Sequence, residues 1–168
     1  MDMKANSTML AVMHKSFFIA VATALLVTTA QAQERQWSLD ATDRQAFLLF
    51  GVPDTDDVGL SFWCEIGSKR MAAYMPESFS PLKIGEKTTM TLTIDGAVFN
   101  LAATAARDQA SNRMTVEAPF KRDNKLISKL KDAQTVAVSV KGHHATYPLA
   151  DADVQGLLDT CSGIDQGN

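Results

Sequence analysis

Beyond Arg44 the chain is a series of short apolar runs broken by turn residues, and most of the runs alternate with period two. Residues 46–52 (AFLLFGV) read as a first strand, the stretch PDTDD breaks it, and Val58–Glu65 (VGLSFWCE) returns. Gly67 and Ser68 turn the chain into a third strand, Arg70–Met75. After a proline-bearing loop, residues 88–94 place Met90, Leu92 and Ile94 on one face and Thr89, Thr91 and Thr93 on the other. Asp95-Gly96 is a type I′ hairpin signal, because both central positions favour positive φ. The predicted return strand, 97–102, turns Phe99 and Leu101 inward.

Residues 113–120 alternate again, with Met114, Val116 and Ala118 opposed to Thr115 and Glu117. Val136, Val138 and Val140 alternate with Ala137 and Ser139, and Lys141-Gly142 turns that strand into 145–149. Two segments have helical spacing. Residues 124–132 gather Leu126, Ile127 and Leu130 opposite Lys125 and Lys129, with Asp123 or Asn124 as the cap. Residues 151–161 begin with an aspartate and carry Val154, Leu157, Leu158 and Cys161 on one side. The pattern predicts an all-β sandwich or open barrel of about eight strands with one or two short helices, the last tied by a disulfide. Met90, Leu92, Ile94 and Gly96 are echoed by Val136, Val138, Val140 and Gly142, a likeness that any two hairpins can share.

The segment ahead of this pattern is of another kind. Residues 15–32 read KSFFIAVATALLVTTAQA: a positive charge, an apolar run over 17–27, then Ala30-Gln31-Ala32. That is the plan of a secretory signal, with small residues at the cleavage site. The apolar run is shorter than the roughly 20 residues a spanning helix needs. The expectation is a signal peptide at residues 1–32, cleaved after Ala32, and a single domain over 33–168 that is periplasmic or secreted and has no membrane span. Met13 is an alternative start, and no cysteine follows the cleavage site to carry a lipid.

The chain has 16 Lys and Arg against 19 Asp and Glu, a net charge of −3 with both signs interspersed. Such a protein lacks the field that nucleic acid or an anionic membrane would select. Its two cysteines, Cys64 and Cys161, suit one disulfide in an exported chain. The alternative, a redox or metal pair, lacks a CxxC spacing, and only His143 and His144 stand beyond the signal as histidine partners.

Motifs that carry chemistry are sparse. Asp54, Asp56, Gly59 and Glu65 fall at loop positions 1, 3, 6 and 12 of the calcium EF-hand, but position 5 is Val58 and both flanks read as strand. The segment reads as a polar hairpin tip. His143 and His144 are neighbours on a strand and so point to opposite faces, which disfavours joint chelation. There is no GxSxG, HExxH or glycine-rich phosphate loop. The basic run Lys121, Arg122, Lys125, Lys129 and Lys131 reads as a solvated helix face, with docking of an acidic partner or glycan as its functional alternative. Trp37 and Trp63 read as buried anchors rather than a glycan platform. No catalytic residue, metal or cofactor is assigned.

The segments PDTDD followed by FWC, and YPLADADVQGLLDTC, together resemble a group of uncharacterised exported proteins of alphaproteobacteria. The closing segment is also similar to the end of a periplasmic family associated with type VI secretion. Phe62-Trp63-Cys64-Glu65-Ile66-Gly67 resembles the opening of periplasmic lysozyme inhibitors. Their inhibitory Ser-Gly-x-x-Tyr loop would fall at residues 110–114, where this chain has Ala-Ser-Asn-Arg-Met. The resemblances imply a disulfide-closed β fold and bring no catalytic residues. The functional expectation is a non-catalytic binding or accessory protein of the envelope, meeting an unidentified envelope or secreted protein through Asp54, Asp56, Asp57, Lys125 and Lys129. A lysozyme-inhibitor-like protein and a hydrolase with scattered residues are the alternatives.

Overall fold

The alternating segments join into one curled, nine-stranded half-barrel, in a computed structural model that describes residues 34–76, 82–108, 112–122 and 125–163. The elements in chain order are β1 (Gln36–Ala41), β2 (Gln45–Gly51), β3 (Val58–Glu65), β4 (Arg70–Met75), β5 (Lys87–Ile94), β6 (Ala97–Arg107) and β7 (Met114–Lys121). There follow α1 (Lys125–Leu130), β8 (Thr135–Val140), β9 (His143–Pro148) and α2 (Val154–Cys161). All strand pairs are antiparallel, in the order β1-β2-β3-β4-β7-β6-β5-β8-β9. The open-barrel expectation therefore holds, with the helix-tying disulfide in place. The expected signal segment and the α1 cap at Asp123 or Asn124 lie outside the described residues.

Two departures from the expected strands have local causes. β1 was hidden because QWSLDA offers only Trp37 and Leu39 to the inner face, and neither is fully buried. β6 runs on to Arg107, beyond the expected 102, through a run of alanine and threonine too weakly amphipathic to register as a strand. Ala103 and Ala105 from that run are buried beside Val116 and Ala118 of β7. Small residues there leave room for larger core side chains such as Met71, Met75 and Met90.

The I′ signal at Asp95-Gly96 is realised, with φ of 43° and 84°, and the Lys141-Gly142 turn has the same positive φ, 46° and 80°. The two hairpins meet through β5 and β8, where Leu92 pairs with Val138 and Ile94 with Val136. Leu92 and Val138 are counterparts in the sequence echo, so a local two-fold axis passes between them. Asp95 also reaches the start of β8, accepting from the amides of Gln134 (2.9 Å) and Thr135 (3.0 Å). These bonds favour the ionised carboxylate and hold its pKa below the usual aspartate value.

The two sheet edges, β1 and β9, are bridged by side chains. The Trp37 indole donates to the Pro148 carbonyl at 2.5 Å. Phe50 lies between Trp37 (centroids 5.3 Å, tilted) and Tyr147 (5.5 Å, edge-on). The β2–β3 register shifts between Phe50 and Gly51, leaving Gly59 as an extra residue outside the pairing. The buried Tyr147 hydroxyl donates to the Gly59 carbonyl at 3.1 Å, satisfying it across the barrel. Glycine is required at this bulge, since a Cβ would lie 2.8 Å from Tyr147 Cε1.

At one end α2 packs against β1, β2 and β3, burying Val154 and Leu157. Its N-cap is Asp153, whose Oδ1 accepts from the Gly156 amide at 2.7 Å, so the helix starts later than the sequence suggested. Cys161 is bonded to Cys64 on β3, with Cα atoms 5.9 Å apart and a sequence separation of 97. The adjacent Gly67 amide donates to the Cys161 carbonyl at 3.0 Å.

Two stability outcomes follow from these ties. Tyr147→Phe leaves the Gly59 carbonyl buried and unpaired and is expected to cost about 1–3 kcal/mol in urea unfolding. Replacing Cys64 and Cys161 together by alanine releases a long loop and is expected to cost about 4–5 kcal/mol on the chain-entropy model. Equal urea midpoints for the bridged and unbridged proteins would show that α2 docks without help from the bond.

Candidate functional site

The acidic tip is a paired structure more than a free one. Asp54 adopts a left-handed φ of 59°, and Thr55 Oγ1 donates to the Val52 carbonyl at 2.8 Å, closing the loop between β2 and β3. Asp57 forms an ion pair with Arg35 at 2.5 Å, and Asp56 one with Arg113 at 3.4 Å. The Arg35 hydrogen bond, with the charge of Arg113 behind it, lowers the Asp57 pKa from its ordinary value. Asp54 lines a shallow cleft of about 230 Å³ with Ser38, Asp40, Leu49 and Thr55. Gly59 and Glu65 belong to β3, so the EF-hand spacing does not become a calcium loop. Among the described residues no group of three His, Cys, Asp or Glu is placed to hold a metal ion.

The histidines divide as strand geometry requires. His143 is half-buried and His144 exposed, opposite Val140 and Ser139 on β8. Trp37 serves the barrel seam, as described. Among the described residues no helix is long and apolar enough to cross a membrane.

The basic run splits into two surfaces. Lys125 and Lys129 line a cleft of about 490 Å³ between α1 and the β5–β6 hairpin, floored by Ile94 and Phe99. Asp95 and Asp132 share that cleft, so its cations have carboxylates beside them. Lys121 and Arg122 go elsewhere. Arg122 Nη1 donates to Ser162 Oγ at 2.9 Å and helps fix the end of α2. Lys121 lies directly opposite Arg70 in the β4–β7 ladder, and the Arg122 amide donates to the Lys69 carbonyl at 2.9 Å.

Two Lys-Arg dipeptides, Lys69-Arg70 and Lys121-Arg122, are thus stacked side by side. Both stand in the sequence as a signal, but only the strand pairing shows that they meet. A second cleft of about 490 Å³ is lined by Lys69, Arg70, Lys121, Pro119 and Phe120. The Arg70 guanidinium lies over the Trp63 ring, 5.9 Å from its centroid. No carboxylate among the described residues forms an ion pair with Lys69, Arg70 or Lys121. Glu65, at the end of neighbouring β3, makes none.

This cleft borders the outer face of the sheet, which is not simply wet. Phe47, Trp63, Ala72 and Pro119 form one row across β2, β3, β4 and β7. Leu49, Ser61, Tyr74 and Glu117 form the next. Ser61, Ala72 and Thr115 are buried, the first two flanked in their rows by larger neighbours. Thr115 Oγ1 donates to the Ala106 carbonyl at 3.3 Å. The Tyr74 hydroxyl donates to Asp108 Oδ2 at 3.1 Å.

Comparison of the chain with family models, curated proteins and solved structures finds no match.

Burial, reinforced by the charge of Asp108 and the hydrogen bond to it, raises the Tyr74 pKa to about 12. A raised folded-state pKa contributes stability that is present below the unfolded phenol value of about 10 and lost as pH rises through the folded value. Urea unfolding is therefore expected to weaken between pH 10 and about 12, and Tyr74→Phe should flatten that decline. A decline of the same slope in the variant would assign it to other groups.

Proposed function

We propose that this protein is a non-catalytic binding or accessory module of the bacterial envelope or exterior, exported by residues 1–32 and acting through contact with another protein. The Cys64–Cys161 disulfide supports an oxidising compartment. The reading is carried by the outer face of β2, β3, β4 and β7, where an apolar row through Phe47, Trp63 and Pro119 ends beside Arg70 and Lys121. Tryptophan and arginine beside a desolvated apolar strip are the composition of protein-binding hot spots. The Asp54–Asp56–Asp57 tip and the Lys125–Lys129 face offer further contact surfaces. Their charges are offset by Arg35 and Arg113 at the tip and by Asp95 and Asp132 at α1.

The oxidised protein starting at Gln33, immobilised and exposed to periplasmic extract, is expected to retain a stoichiometric partner. Charge reversal at Arg70 and Lys121 should release it, with reversal at Asp54 and Asp57 or at Lys125 and Lys129 as the comparison. Failure to retain any partner across a range of salt would overturn the reading.

A further inference from the structure

The stacked Lys-Arg pairs work against stability. Like charges directly opposite in an antiparallel ladder repel, and Arg70 faces Lys121 with Lys69 close by. The chain as a whole is acidic, with a net charge of −3, so acids to neutralise such a cluster are plentiful in composition. They are used at other charged points: Asp57 with Arg35, Asp56 with Arg113, Glu86 with Lys141. At Lys69, Arg70 and Lys121 they are not. The cations instead line a cleft whose other described lining is apolar, from Pro119 and the nearly buried Phe120. Trp63 supports the guanidinium of Arg70 from the side, which restricts its orientation before any ligand arrives.

We propose that this cleft receives an acidic, apolar segment of a partner polypeptide, with a carboxylate held between Arg70 and Lys121 and an aliphatic or aromatic side chain against Pro119 and Phe120. The proposal rests on the protein-contact reading above and names the chemistry of the partner at that face. An arginine fork and a lysine point charge suit a carboxylate, and a charge-assisted bond in a partly desolvated cleft is stronger than one in open water. The cleft, about 490 Å³, is open on its solvent side and so suits a segment of chain laid across it. Two other anionic partners fit less well. A glycan would need neutral hydrogen-bonding groups for its hydroxyls, and among the described residues no amide or hydroxyl side chain lines the cleft. An anionic membrane would repel the acidic remainder of the surface. β4 and β7 are both interior strands, so recognition falls to side chains and not to an added strand.

The test uses the oxidised full chain and the capped peptide Leu-Glu-Glu-Phe-Glu, followed by tryptophan fluorescence and calorimetry. The same peptide with glutamine for glutamate, polygalacturonate, and phosphatidylglycerol vesicles serve as the other probes. The acidic peptide is expected to bind with an affinity that falls as salt rises, and the glutamine peptide to bind at least about tenfold more weakly. Lys121→Glu should weaken the acidic peptide by about tenfold or more. Its thermal midpoint should equal or exceed that of the unsubstituted protein, because glutamate opposite Arg70 replaces a repulsion with an attraction. Lys125→Glu, in the other cleft, should leave peptide binding unchanged.

Equal binding of the two peptides, no binding of either, or full binding by Lys121→Glu would overturn the proposal. So would binding of polygalacturonate or of vesicles with the peptide silent, which would reassign the cleft to a glycan or a lipid headgroup. If extract still yields a partner that is released by reversal at the Asp54 tip or the α1 face, the protein-contact reading stands and only this assignment fails.

Discussion

The architecture turns on a single buried hydroxyl. A nine-stranded antiparallel sheet has two edges, and an open apolar interior is stable only if they are drawn together. Tyr147 does this from β9, crossing the core to the carbonyl of Gly59 on β3. The bond exists because the β2–β3 bulge pushes Gly59 out of the ladder and because Gly59 has no Cβ to block the ring. Trp37 completes the seam from β1, with Phe50 filling the space between the two rings. The curl that results sets the inner face for the core and turns Phe47, Trp63 and Tyr74 to the outer face of the sheet, where each is half-buried.

Period-two alternation carried most of this fold in legible form. Leu92 and Val138 must face one way once their neighbours are polar or small, and the two positive-φ turns fix which strands are consecutive. β1 could not be read, because its burial depends on a seam formed with Pro148, 111 residues away. The place of Cys161 on the core side of a terminal helix was visible from helical spacing alone. Surface chemistry was less accessible. Lys121 was visible only as part of a run leading into α1, yet its neighbour in the fold is Arg70, reached through the β4–β7 pairing. Charge runs follow the chain, whereas electrostatic fields follow the fold.

That difference separates the charged regions of the molecule by kind. Asp57 with Arg35 and Glu86 with Lys141 fasten loops and strand ends, and each ion has its counterion. Asp95 has backbone amides for the same purpose. Exposed pairs of this sort contribute little each, but they leave no unspent field at the surface. The Lys69-Arg70 and Lys121-Arg122 stack is the opposite arrangement: a repulsion retained within a ladder beside Trp63 and Phe120. A fold under selection for stability alone has no reason to keep it.

The position of the disulfide has a consequence for the order in which the molecule is made. Cys64 is made early, on the third strand, but Cys161 ends the last helix, so the first thiol waits for its partner through most of synthesis. The covalent lock can close only after β9, which carries Tyr147, has been made. A chain cut short ahead of Cys161 lacks the second thiol and cannot be closed by this bond.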